Sequence, residues 1–121
     1  MIPFKYRFHG HSSLNYVYKK GEAIRSRLVT IKFVANSHRK DPRLAVVVSK
    51  KTLKSAVRRN RIRRRVYECV RPKLARLNKT YDIVFIVTSG EIFNISHQEL
   101  SDTINQLISQ AGIQKPTTKS K

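Results

Sequence analysis

The sequence KKTLKSAVRRNRIRRR spans Lys50–Arg65, and nine of its sixteen residues are Lys or Arg. Helical phasing at about 100° per residue sorts the stretch from Ser55 to Arg71 into two faces. The apolar face consists of Ile62, Val66, Cys69 and Val70. The polar and basic face consists of Asn60, Arg61, Arg64, Arg65 and Arg71. We therefore predict a helix that packs on a sheet and presents Arg61, Arg64 and Arg65 to a partner.

The start of this predicted helix is basic, although a helix alone favours acidic side chains there. The amino-terminal end of a helix carries a partial positive charge, which Asp or Glu stabilises and cations oppose. The cations that crowd it are Lys50, Lys51, Lys54, Arg58 and Arg59. Bound phosphate would explain them, because backbone N–H groups and cations hold phosphate together. A solvated basic face is the alternative, but no acidic residue lies between Asp41 and Glu68, so we favour nucleic-acid contact.

Length and charge restrict the class of protein. A chain of 121 residues is long enough for one domain with a hydrophobic core. Its 40% content of hydrophobic residues excludes a disordered basic tail. Lys and Arg number 26 against 7 Asp and Glu, which gives a net charge of +19. Self-repulsion at that charge opposes folding and a polyanion would relieve it, so nucleic acid is the first candidate partner and an anionic membrane surface the second.

Cysteine content and hydropathy indicate a cytoplasmic protein. Cys69 is the only cysteine, so the chain has no disulfide scaffold, which fits a reducing compartment. The position of Cys69 on the apolar helix face indicates a small core residue rather than a nucleophile. No apolar run is long enough to span a membrane, and the N-terminus lacks the continuous apolar core of a signal peptide.

Hydrophobic periodicity predicts a single α+β domain over residues 1–112, in the order helix, three strands, helix, strand, helix. The elements besides the basic helix are a helix from Ser12 or Ser13 to Gly21, strands at Glu22–Ser26, Leu28–Ala35, Leu44–Ser49 and Ile83–Val87, and a final helix from the capping box Ser96–Glu99 to Gly112. Residues 113–121 are expected to form a disordered basic tail.

Alternation within the strands predicts which side chains face the core. The core-facing set is Val29, Ile31, Phe33, Leu44, Val46 and Val48. Thr30 and Lys32 should lie on the opposite face of the sheet. We interpret the β-branched run Leu44–Ser49 as a central strand. Ile83–Val87 is apolar on both faces, which indicates a strand in the sheet interior.

The first eleven residues alternate aromatic and basic side chains from Phe4 to His9. In an extended chain this segment could pack on the domain, which we favour, or stack on bases. His9 and His11 have a spacing that could bind a metal, but no carboxylate or cysteine follows nearby, so we predict no metal site there. The sequence also lacks a close pair of acids, a phosphate-binding glycine loop and a zinc motif. Its residues therefore predict an RNA-binding protein without a catalytic site of its own.

Two stretches resemble one family. Ser49–Lys51, SKK, and Ala56–Glu68, AVRRNRIRRRVYE, are similar to the protein subunit of bacterial ribonuclease P. The signature of that family is an Arg-Asn-Arg triplet, one further residue and two basic residues. Here the signature reads Arg59-Asn60-Arg61, Ile62, Arg63-Arg64. The stretch LNYVYKKG at Leu14–Gly21 resembles the first helix of the family through Tyr18, Lys19 and Gly21.

The resemblance implies an enzyme whose catalytic group is RNA. In ribonuclease P, the catalytic RNA uses magnesium to remove the 5′ leader from precursor transfer RNA. The protein would be the non-catalytic subunit, a monomer in a 1:1 complex, and Mg²⁺ would be bound through the RNA of the holoenzyme. The resemblance also implies a four-stranded mixed sheet with a left-handed crossover from the third strand through the basic helix to the fourth. Pattern reasoning alone favours a right-handed connection.

Matching positions give the candidate RNA-binding residues. Those that would contact the catalytic RNA are Arg59, Asn60, Arg61, Arg63 and Arg64. Those that would line a leader cleft between the first helix and the sheet are Tyr18, Lys32, Ser49, Lys50 and Lys51. The set is completed by Lys19, Arg27, Arg58 and Arg65.

Two other classes of protein remain as alternatives. A generic RNA-binding protein of the ribosome or of ribosome assembly would explain the charge and the fold equally well, but not the long motif. A membrane-surface protein with a basic amphipathic helix ranks last, because the apolar face of the helix is modest and the chain lacks Trp.

Overall fold

The computed structural model describes residues 2–8 and 12–114. Its helices are α1 (Ser12–Lys20), α2 (Ala56–Val70) and α3 (His97–Ala111), and its strands are β1 (Glu22–Arg25), β2 (Val29–Ala35), β3 (Arg43–Val48) and β4 (Tyr81–Val87). Short 3₁₀ helices occupy Phe4–Tyr6, Arg71–Arg76 and Gly90–Asn94. The predicted order of α-helices and strands is confirmed. Pro72 explains the end of α2, because a residue without a backbone N–H interrupts the helical hydrogen bonds.

The four strands form one mixed sheet in the order β1-β2-β4-β3. β4 pairs antiparallel with β2 and parallel with β3, and α2 makes the crossover that a parallel pair requires. The predicted mixed sheet and the interior position of β4 are confirmed, whereas the handedness of the crossover stays a prediction. The central position predicted for β3 is wrong, because β3 is an edge strand. Only alternate residues of its apolar run are buried, so one face of β3 packs in the core and the other is partly exposed.

One face of the sheet carries the hydrophobic core. The register aligns Ile31, Phe85 and Val46 across β2, β4 and β3, and all three side chains are buried. The buried residues of α2 and α3, which cover this face, are Ile62, Val66, Tyr67, Cys69, Val70, Leu100, Ile104, Leu107 and Ile108. The predicted apolar stripe of α2 is therefore confirmed, and Tyr67 extends it.

Helix α1 lies on the opposite face of the sheet, where Val17 is buried. The helix ends at Gly21, whose N–H donates to the carbonyl of Val17 at 2.8 Å. A Cβ at Gly21 would lie 2.5 Å from the carbonyl oxygen of Val17 and 3.0 Å from that of Phe33. The lack of a side chain at Gly21 therefore allows α1 to turn into β1 in close contact with β2.

A buried ion pair lies on the same face of the sheet as α1. Asp82 is 2% exposed, although it belongs to β4. Its Oδ1 accepts from Nε of Arg43 at 2.9 Å, and its Oδ2 accepts from Nη2 of Arg43 at 2.7 Å. Nδ2 of Asn36 also donates to Oδ2, at 3.0 Å. This bidentate arrangement satisfies the carboxylate and joins β3 to β4 and to the turn after β2.

The amino-terminal segment packs on the domain over residues 2–8. Ile2 contacts the core, the Lys5 carbonyl accepts from Nη2 of Arg39 at 3.2 Å, and the Phe8 ring centre lies 5.1 Å from Cζ of Arg43. The segment contains a 3₁₀ turn instead of a continuous extended arm. His9 and His11 lie outside the described residues.

The carboxyl-terminal boundary of the domain differs from the prediction. Ile113 is buried, and Gln114 forms a β-bridge with Leu77. The predicted tail from residue 113 is therefore wrong for these two positions, which belong to the domain. Residues 115–121 lie outside the described residues, and the prediction for them stays a prediction.

Candidate nucleic-acid interface

Helix α2 starts at a serine cap surrounded by cations. Ser55 is the N-cap, and its Oγ accepts from the backbone N–H of Arg58 at 3.2 Å. The first turn contains no acidic residue, and Lys50, Lys51 and Lys54 are exposed in the segment before it. The positive end of the helix dipole and these ammonium groups thus point to one region of the surface, which suits an anionic ligand.

Four of the exposed side chains of α2 form what we call the arginine face, which consists of Arg58, Asn60, Arg61 and Arg64. Arg61 and Arg64 are exposed as predicted, and their contact with a partner stays a prediction. Arg63 is half-buried and donates from Nη1 to Oδ1 of Asn60 at 2.7 Å. The Asn60 side chain thereby orients one guanidinium beside the exposed ones.

Two other arginines of α2 hold neighbouring loops. Nη1 of Arg59 donates to the carbonyls of Leu53 at 2.9 Å and Lys54 at 2.8 Å. Arg65 donates to the carbonyls of Ile92 at 3.3 Å and Ile95 at 2.8 Å. The prediction that Arg65 is exposed to a partner is therefore wrong, because its half-buried guanidinium bonds the loop before α3. Helical phasing contains the signal, since position 65 is three residues after the buried position 62 and borders the apolar stripe.

A phenylalanine that sequence reasoning missed contacts the arginine face. The ring centre of Phe93 lies 4.9 Å from Cζ of Arg58 and 5.9 Å from Cζ of Arg61, within the range of cation–π interactions. Phe93 belongs to the 3₁₀ turn Gly90–Asn94, which is distant from α2 in sequence. No periodicity in the sequence links the two, because the contact depends on how the loop folds back.

The opposite face of the sheet brings together Tyr18 and Lys32. Nζ of Lys32 donates to the Tyr18 carbonyl at 3.0 Å and lies 5.6 Å from the centre of its ring. Burial raises the pKa of the Tyr18 phenol, so the ring remains neutral at physiological pH. In the register, Lys32 is beside Ala23 on β1 and Val84 on β4. Lys32 thus lies at the sheet–α1 boundary as predicted, but its ammonium also bonds to the helix.

The segment after β3 forms a tight turn that exposes both of its lysines. The Ser49 carbonyl accepts from the N–H groups of Thr52 and Leu53, each at 3.1 Å. Lys50 and Lys51 project from this turn and are exposed. A Cβ on Gly90 would lie 2.9 Å from the Thr52 carbonyl oxygen, so the turn is packed closely against the segment after β4.

The remaining candidates are Lys19 and Arg27. Lys19 is exposed near the end of α1. Arg27 is also exposed, but its guanidinium forms a salt bridge with Glu91. The structure therefore leaves Lys19 freer to bind an anion than Arg27.

The described part of the chain lacks two kinds of feature. Among residues 2–8 and 12–114, no group of three or more His, Cys, Asp or Glu side chains is arranged to hold a metal ion. Within the same residues, no helix has both the length and the apolar character needed to cross a membrane.

Comparison with known proteins identifies the family of the chain. The sequence model of the family Ribonuclease P matches residues 2–112. The chain belongs to the ribonuclease P protein family. It is 31% identical over 113 residues to the ribonuclease P protein component of Pseudanabaena sp., covering 93% of this chain and 97% of that one. It is 33% identical over 112 residues to the component from Clostridium kluyveri, covering 91% and 97%.

Solved ribonuclease P proteins share the fold. The RNase P protein of Staphylococcus aureus matches with a TM-score of 0.80 at 23% identity, over 91% of this chain and 98% of that one. The protein from Thermotoga maritima matches with a TM-score of 0.74 at 25% identity, over 86% and 96%. Membership of the ribonuclease P family gives the protein a role in 5′ processing of transfer RNA with an RNA subunit. It decides against the ribosomal and membrane-surface alternatives.

Proposed function

We propose that the protein assists the catalytic RNA of ribonuclease P with two separate surfaces. The arginine face of α2 binds the catalytic RNA, and the surface where Tyr18 of α1 meets Lys32 of β2 binds the 5′ leader of precursor transfer RNA. The observation that carries this proposal is the division of the sheet. Arg61 and Arg64 belong to the helix on its core face, whereas Tyr18 and Lys32 meet on the opposite face. One molecule can therefore contact both RNAs at once, in a 1:1 complex with the catalytic RNA.

The arginine face suits a folded RNA backbone. Arg58, Arg61 and Arg64 are exposed, and each can donate two parallel hydrogen bonds to one phosphate. The nearest acid on α2, Glu68, lies 3.3 Å from Nη2 of Arg71 at the far end of the helix. The arginines near the start of α2 thus keep their positive field, which phosphates neutralise with release of counterions.

The surface around Tyr18 and Lys32 suits a flexible single strand. The Tyr18 ring is partly exposed at the border of the sheet, and bases stack on such rings without strict sequence preference. Lys32 fixes the helix turn that carries Tyr18 and adds a positive charge beside the ring. Exposed Lys50 and Lys51 would continue the basic path beyond the end of β3.

We place the hydrolytic chemistry in the RNA. Among the described acids, Asp82 is buried against Arg43 and Glu91 is paired with Arg27. Within the described ranges 2–8 and 12–114, no three or more His, Cys, Asp or Glu side chains are grouped to hold a metal ion. Mg²⁺ would be held by the catalytic RNA, and the protein would raise activity most when magnesium is scarce, because its cations replace part of the charge neutralisation that Mg²⁺ supplies.

The test compares variants of the two surfaces. We expect Arg61→Ala with Arg64→Ala to weaken binding to a bacterial ribonuclease P RNA, measured by titration. We expect Tyr18→Ala to leave that binding unchanged but to reduce the holoenzyme's preference for precursor over mature transfer RNA. Loss of one base stack is worth about 1–3 kcal/mol, or about 5- to 150-fold in affinity. Tyr18→Phe keeps the ring and is the matched control.

The result that contradicts the proposal is a shared loss. If the arginine pair and Tyr18→Ala reduce the same binding step to the same degree, the protein has one undifferentiated basic patch. Specific cleavage of precursor transfer RNA by the protein alone, with RNA removed, would place the catalytic group in the protein instead.

A further inference from the structure

We infer that Phe93 is a positioning residue for RNA recognition, because its ring holds Arg58 and Arg61 in a fixed arrangement on the arginine face. The inference rests on the proposed role of that face. Arg58 and Arg61 are three residues apart, so they lie one helical turn apart on the same side of α2. Their guanidinium carbons are 4.9 Å and 5.9 Å from the centre of the Phe93 ring. One ring therefore serves two cations.

The loop that carries Phe93 is fixed by the helix that it serves. Arg65 of α2 donates to the carbonyls of Ile92 and Ile95, on either side of Phe93. The side chain of Ile92 is completely buried. At the start of the loop, Oγ of Ser89 accepts from the N–H of Glu91 at 3.2 Å. These contacts restrict the backbone on both sides of the ring, so the ring is held at a defined place beside α2.

The arrangement solves an electrostatic problem. Two guanidinium groups on one turn of a helix repel each other, and long exposed side chains lose rotamer freedom when they bind a phosphate. The negative face of an aromatic ring attracts both cations and restricts their motion before RNA arrives. A guanidinium that stacks through its face keeps the N–H groups of its edge free for phosphate oxygens. Phe93 would therefore raise RNA affinity by pre-organisation rather than by touching RNA.

The experiment replaces the ring but keeps an apolar side chain. Phe93→Leu and Phe93→Met retain contact with the core and remove the π face, whereas Phe93→Tyr retains it. We expect both aliphatic variants to bind a bacterial ribonuclease P RNA about 3- to 30-fold more weakly, the range for losing one or two exposed cation–π contacts. Phe93→Tyr should bind within about 2-fold of the unaltered protein, and the melting temperature of each variant reports on folding.

A double-mutant cycle separates positioning from a structural role. Phe93→Leu is combined with Arg58→Ala and Arg61→Ala, and RNA affinity is measured for all four corners of the cycle. If Phe93 acts through the two arginines, its replacement costs little once they are absent. An equal loss in both backgrounds, or no loss in the unaltered background, would overturn the inference.

The same cycle distinguishes this inference from the proposed function. If Arg58→Ala with Arg61→Ala leaves RNA affinity unchanged, the arginine face is not the RNA site and the proposed function fails. If that pair weakens binding while Phe93→Leu shows no coupling to it, only the positioning role fails.

Discussion

The carboxylate of Asp82 relies on one arginine for most of its hydrogen bonds. The side chains of Arg43 and Asp82 are 14% and 3% exposed, so water cannot replace a lost partner easily. We expect Arg43→Ala to lower the free energy of unfolding by about 3 kcal/mol, because an unpaired buried charge is costly. Asn36 would still donate one hydrogen bond, which limits the loss. Urea unfolding followed by circular dichroism measures the effect.

Arg64→Ala is the matched control for that prediction. The Arg64 side chain is exposed, and such a substitution usually changes stability by less than about 0.5 kcal/mol. If Arg43→Ala costs no more than Arg64→Ala, the ion pair contributes nothing to stability, and its role is limited to orienting the turn after β2.

The arginines of α2 show what sequence can indicate about single residues. Their number and spacing predicted a basic helix, and Arg61 and Arg64 are exposed as predicted. Their number and spacing did not indicate that Arg59 and Arg65 donate hydrogen bonds to backbone carbonyls of neighbouring loops. Those carbonyls are left free by irregular segments, whose path depends on tertiary packing. A guanidinium serves equally well for phosphate and carbonyl, so residue type alone does not distinguish the two uses.

At the scale of elements, the junction between α1 and β1 has no room for a side chain. We expect Gly21→Ala to destabilise the protein by about 1–3 kcal/mol, because overpacking against backbone atoms forces them to shift. The Cβ would meet carbonyl oxygens of Val17 and Phe33, which belong to α1 and β2. Tyr18 lies on the displaced helix, so the variant should also lose preference for precursor over mature transfer RNA.

Gly112→Asn is the control, measured in the same unfolding and binding assays. Gly112 closes α3 with φ of 69°, and a Cβ there would meet no atom within 4 Å. Asn tolerates this left-handed conformation, so the cost should be small. Equal effects of the two substitutions would mean that the close approach at Gly21 does not hold α1 in place.

Periodicity predicted the helices, the strands and their buried faces better than it predicted which strands lie side by side in the sheet. The apolar stripe of α2 and the core-facing residues of β2 and β3 follow from local spacing, and the structure confirms them. The edge position of β3 does not follow from local spacing. One face of β3 is buried and the other is partly buried, so its apolar run is similar to that of a central strand. Whether β2 pairs next with β3 or with β4 is decided by the crossover through α2, which local spacing does not encode.

At the scale of the whole molecule, positive charge is distributed unevenly. The sequence of α3, HQELSDTINQLISQA, contains no Lys or Arg, although the chain has 26 of them. Nine of the cations lie between Lys50 and Arg65, on α2 and the segment before it, and Lys19 and Lys20 end α1. RNA should therefore approach from those sides, and the outer surface of α3 should face away from it.

Cys69 reports, through its rate of alkylation, on opening of the folded domain. It is the only cysteine, it lies on the buried side of α2, and burial raises the pKa of its thiol. A protonated, enclosed thiol does not react with an alkylating reagent, so reaction requires α2 to separate from the sheet. We expect alkylation of the native protein to be orders of magnitude slower than that of the urea-unfolded chain.

RNA binding on the exposed side of α2 should slow alkylation of Cys69 without covering the thiol. RNA that binds the folded state stabilises it by mass action, so the alkylation rate should fall by the factor that the binding equilibrium sets. Mass spectrometry at increasing concentrations of the catalytic RNA would measure the rate. An unchanged rate at saturating RNA would show that α2 opens while the RNA remains bound. The alkylation rate of one sulfur on the buried side of α2 thus reports how firmly RNA binds its exposed side.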